Sequence, residues 1–86
     1  MDEDTLLGQL EELAHSLGIE IRNEPLKREG GFFPGGLCRI KGEYVLILNA
    51  TATREDKIQT MAKALNRFDL SGVYVRPGLR EFLDKA

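Results

Sequence analysis

The chain has 86 residues, 42% of them apolar and 30% charged, with nine glycines and a formal charge of −2. A chain of this length holds one domain around one core, since chains of about this size bury only about 60% of the surface they expose when unfolded. The composition excludes a disordered acidic tail and a fibrous repeat. The single cysteine, Cys38, excludes an internal disulfide, and Asp2, Glu3 and Asp4 stand where a secretory signal would carry positive charge. No apolar run exceeds residues 44–48, so the sequence predicts a cytoplasmic protein with no membrane partner.

Charge is divided unevenly. Residues 1–20 contain six acids (Asp2, Glu3, Asp4, Glu11, Glu12, Glu20) and neither Lys nor Arg, while the rest holds all 12 bases with eight acids. A split of this kind can steer partners or self-association.

In chain order, Leu6, Leu10, Leu13 and Leu17 form one helical stripe, with acids at its start and Gly18 at its end, and predict a helix over residues 4–17. Ile19 and Ile21 alternate with Glu20 and Arg22 as in a half-buried strand that Pro25 interrupts. Residues 29–36 are rich in Gly and Pro and predict a loop that carries Phe32 and Phe33. Residues 37–40 and 44–49 read as a hairpin joined around Lys41 and Gly42, the second run being the central strand.

Thr53 followed by Asp56 resembles a capping box and opens a second long helix, with Ile58, Met61, Ala62, Leu65 and Phe68 on one face and its end near Phe68. Val73, Tyr74 and Val75 suit a short strand, and Pro77 starts a last short helix containing Leu79, Phe82 and Leu83. The expected fold is α+β, ordered α-β-β-β-α-β-α. It consists of a small three- or four-stranded, mainly antiparallel sheet packed with two long helices and a short C-terminal helix. Neither an internal repeat nor a linker divides residues 1–86, which read as a single domain.

Chemistry-bearing motifs are sparse. Cys38 and His15 are the only cysteine and histidine, too few for a zinc site without several converging carboxylates. Cys38, sharing a strand face with Ile40, reads as a small buried hydrophobe and His15 as a partly solvated helix residue. The glycine pairs lack the spacing of nucleotide-binding loops. Arg54, Lys57, Lys63 and Arg67 make the second long helix basic, but no aromatics interleave with them, so a solvated face is favoured over nucleic-acid contact. Phe32 and Phe33 read either as a cap on the small core or as an anchor in a partner's pocket.

The run Tyr-Val-Leu-Ile-Leu-Asn-Ala-Thr-Ala-Thr-Arg-Glu-Asp-Lys-Ile-Gln-Thr-Met-Ala-Lys-Ala-Leu-Asn-Arg-Phe, residues 44–68, resembles the strand, Asn-containing turn and helix of the ImmA/IrrE group of bacterial metallopeptidase-like proteins. The order of elements before it is similar too. In that family the helix carries a His-Glu-x-x-His motif for zinc hydrolysis. Laid on this sequence, Lys63 stands for the first His, Ala64 for the catalytic Glu and Arg67 for the second His. The resemblance therefore implies the family's fold without its zinc chemistry, because two cations repel a divalent metal and a methyl group cannot act as a base. Residues 73–83 have no counterpart in it. The chain is also similar to small bacterial proteins generally, which adds no activity.

These readings predict a non-catalytic interaction module without a cofactor, binding another protein or forming a homo-oligomer. The candidate contacts are Phe32, Phe33, Lys63, Arg67 and Phe82. The competing expectations are a small hydrolase or thiol enzyme with an unrecognised site, and a nucleic-acid accessory protein using the basic helix.

Overall fold

A computed structural model of the protein describes residues 2–25 and 35–86. The leucine stripe becomes helix α1 (Glu3–Ser16), which buries Leu6, Leu10, Leu13 and Ala14. Asp2 caps it, its carboxylate accepting the Thr5 amide at 2.7 Å. At the other end the Gly18 amide donates to the His15 carbonyl and the Ile19 amide to the Ala14 carbonyl, both at 3.0 Å. This paired closure requires a left-handed residue, and Gly18 supplies it at φ 78°.

Strands β1 (Glu20–Glu24), β2 (Gly35–Ile40) and β3 (Glu43–Asn49) form one sheet in the order β1-β3-β2. β2 and β3 are the expected hairpin, joined by Lys41 and Gly42 at φ 52° and 84°, and β3 is the central strand. β1 pairs with β3 in parallel, so the sheet is mixed rather than mainly antiparallel. The reason is topological. The chain passes from β1 to the far edge, runs back as β2, and turns again so that β3 enters the middle in the direction of β1.

Register decides which side chains enter the core. Ile21, Leu46 and Leu37 share one row across the sheet and face the helices, whereas Glu20, Val45 and Cys38 share the next row on the opposite face. Cys38 is therefore exposed, which corrects its reading as a buried hydrophobe. Ile40 shares its face and is 42% exposed.

Helix α2 (Arg54–Leu65) starts at Thr53, whose hydroxyl oxygen accepts the Asp56 amide at 3.1 Å, and buries Ile58, Met61, Ala62, Ala64 and Leu65. It stops three residues before Phe68, because the Arg67 and Phe68 amides turn to carbonyls only three residues back. Phe68 then leaves the helix direction and meets Tyr44 edge-on, with ring centroids 5.0 Å apart.

Residues 73–75 pair with no strand among the described residues, so the sheet has the smaller of the two expected strand numbers, and only the short strand expected at 73–75 is corrected. Val75 is buried and Tyr74 is 81% exposed, so strand-like alternation is present. The segment lies along α1 beside Gln9, Leu13 and Ser16, however, and a helix surface offers no strand edge. The Arg80 guanidinium donates to the carbonyls of Leu70 and Val73 instead, at 3.4 Å each. Helix α3 (Pro77–Lys85) closes the core with Leu79 and Leu83, and the Asn66 side-chain amide donates to the Leu83 carbonyl at 3.0 Å. No helix is long and apolar enough, among the described residues, to cross a membrane.

Candidate protein-interaction groove

β2 is an edge strand, and α2 runs over it, so the two elements form the walls of a groove of about 400 Å³. Gly35, Gly36 and Leu37 line one wall. Asp56, Gln59, Thr60, Lys63 and Ala64 of α2, with Arg67 just past its end, line the other. The spacing of the second set is that of one helix face, the face turned toward the sheet edge. Gly35 is required by the backbone here. Gly35 has φ 126°, and any β-carbon on it would run into the Ile47 carbonyl of β3.

The edge is chemically unfinished. A two-residue turn is closed by a pair exchanging both backbone hydrogen bonds, here Ile40 with Glu43. The alternation that follows turns the amide and carbonyl groups of Arg39 and Leu37 away from β3, and no strand among the described residues meets them.

Lys63 and Arg67 are both exposed and join none of the ion pairs or side-chain hydrogen bonds among the described residues. The ion pairs that do form are surface ones: Arg54 with Asp4 at 2.8 Å, Arg76 with Glu12 at 3.4 Å, Arg22 with Glu20 at 3.1 Å and Lys85 with Glu81 at 3.2 Å. Among the described residues the groove wall thus offers two free cations and one carboxylate, Asp56, beside a row of unpaired backbone groups.

Against the zinc chemistry of the resembling family, the donor set does not fit. Lys63, Ala64 and Arg67 present two cations and a methyl group to the groove, where a divalent metal requires neutral imidazoles or anionic donors. Among the described residues no three His, Cys, Asp or Glu side chains converge as a metal site would require. His15 lines a separate groove beside β1, and Cys38 lies on β2 with β3 between them, so the two are not brought together.

Of the sequence candidates, the structure unites Lys63 and Arg67 in the groove. Phe82 is elsewhere, half-buried on α3 and packed against the core near Leu6. Phe32 and Phe33 lie outside the described residues. Sequence reasoning did not find Gln59, Thr60 or the open side of β2. The helical period of Asp56, Thr60, Lys63 and Arg67 was readable, but it reads as a solvated face until the fold sets a strand edge beside it.

No protein-family model matches this chain, and none of the curated proteins or solved structures is significantly similar to it.

Proposed function

We infer that this chain is a non-catalytic protein-interaction module that takes an extended segment of a protein partner along the open edge of β2. The observation that carries this reading is the outward-facing backbone of Leu37 and Arg39 beside a groove whose far wall holds Lys63 and Arg67. Strand addition of this kind draws affinity from main-chain hydrogen bonds and specificity from side-chain contacts along the flanking groove. The α2 side chains in the groove supply hydrogen-bonding and cationic groups for selecting a segment, and they include neither a nucleophile paired with a base nor a metal-binding set.

Selection of peptides from a random display library on the immobilised protein tests the reading. The peptides retained should bind in extended form, bring acidic side chains to Lys63 and Arg67, and lose at least tenfold in affinity to Arg39→Pro but not to Arg39→Ala. Proline removes only an outward-facing amide, a change that edge strands tolerate. Equal binding by both variants, or stoichiometric zinc held by the purified protein through α2, would refute it.

A further inference from the structure

Among the described residues the sheet has a second open edge, and its charge is opposite to the first. On the outer side of β1, a groove of about 620 Å³ is lined by Gly8, Glu11, Glu12, His15, Glu20 and Asn23 among others. Three carboxylates stand there, against the free Lys63 and Arg67 and the single Asp56 of the β2 groove. Glu12 and Glu20 each hold one arginine in an exposed ion pair, and Glu11 joins none among the described residues.

We propose that the segment occupying the β2 edge is β1 of a second copy of this chain, giving head-to-tail assembly through a continuous sheet. This rests on the reading of β2 as a strand-accepting edge. Strand direction agrees with it. β1 runs parallel to β3 and β2 runs antiparallel to β3, so β1 and β2 have opposite senses within one copy. When a second copy continues the sheet with its helices on the same face, its β1 meets β2 in antiparallel register, the sense that pairs slightly more strongly.

Helix placement agrees as well. α1 flanks β1 and α2 flanks β2, so the junction sets the acidic α1 of one copy against the basic wall of α2 in its neighbour. The alternative two-fold contacts oppose like charges. A β2–β2 junction brings Lys63 and Arg67 to a second Lys63 and Arg67, and a β1–β1 junction brings Glu11, Glu12 and Glu20 to their own copies. Charges arranged in this way select the partner and the register. A head-to-tail contact leaves one edge free at each end and so builds a ring or an open filament. With strand twist of about 20–25° and three strands per copy, successive copies rotate by about 60–75°.

The test is a charge swap read by sedimentation velocity. Wild-type protein at low ionic strength should show mass rising with concentration in whole-copy steps, and a return toward monomer in about 1 M salt, where screening acts within about 3 Å. One variant carries Lys63→Glu with Arg67→Glu and a second carries Glu11→Lys with Glu20→Lys. Each should remain monomeric with an unchanged circular dichroism spectrum, and their equimolar mixture should regain the wild-type masses, because only unlike copies then present opposite edges. Wild-type protein monomeric at millimolar concentration, or a mixture as monomeric as its components, overturns the proposal. If such monomers still bind extended peptides along β2, the second copy is excluded as occupant while the strand-accepting edge stands. If they bind none, both fall.

Discussion

At the residue scale, backbone conformation and caps carry the sharpest expectations. Gly18 sits at φ 78° at the end of α1, where a β-carbon costs about 1–2 kcal/mol. Gly18→Ala should lower the unfolding free energy by that amount in a denaturant titration, with no change in the groove. Lys41 is the reverse case. It holds φ 52° in a turn whose first position favours Asn or Gly, so Lys41→Asn should stabilise the hairpin by up to about 1 kcal/mol by the same assay. Gly18 and Gly42 were readable as punctuation in the sequence, but that Lys41 itself is left-handed follows only from the two-residue length of the turn.

Asp2 illustrates a pH effect. The Thr5 amide bonding to its carboxylate holds the Asp2 pKa below its ordinary value. A lowered folded pKa contributes stability above the ordinary carboxylate range, and that contribution is lost as pH falls through the lowered value. The Thr5 amide resonance should therefore titrate below the usual Asp range, and Asp2→Asn should remove that transition. A Thr5 amide that does not respond to acid would contradict the cap. Asp69 is lowered for a similar reason, by the side chain and then the backbone amide of Ser71.

At the element scale, periodicity identified the two long helices and the hairpin because each has one face that must be buried. It failed where the face had to be chosen. Residues 37–40 read Leu, Cys, Arg and Ile, so the parity with two apolar side chains, Cys38 and Ile40, looks like the one to bury, and the other pairs Leu37 with Arg39. Pairing Leu37 with Leu46 settles the choice, and Cys38 and Ile40 face outward. Cys38 in the folded protein should accordingly react with a thiol reagent at close to its unfolded rate, and Cys38→Ser should change stability by less than about 0.5 kcal/mol. Slow labelling would contradict this register. The segment 73–75 misled for a different reason. Alternating burial arises wherever an extended chain crosses an apolar surface, and here that surface is a helix.

At the scale of the whole molecule, Glu11, Glu12 and Glu20 from the acidic start of the sequence line the groove beside β1, and Lys63 and Arg67 from the remainder line the separate groove beside β2. That separation was not legible, because it depends on β1 and β2 lying on opposite sides of β3. Parallel pairing of β1 follows from this same crossing and leaves no signature in strand composition. Lys63 and Arg67 were legible as cations. The role proposed for them comes from the open strand beside them, a property of strand order and not of any residue.

Amide hydrogen exchange at Leu37 and Arg39, measured with and without a saturating display-selected peptide, tests that role most directly. A strand laid along β2 would slow exchange at both amides by at least tenfold while leaving the inward amides Cys38 and Ile40 almost unchanged. Full occupancy by the peptide with no slowing at Leu37 and Arg39, or with protection centred on Phe82, would contradict the assignment of this edge as the binding surface.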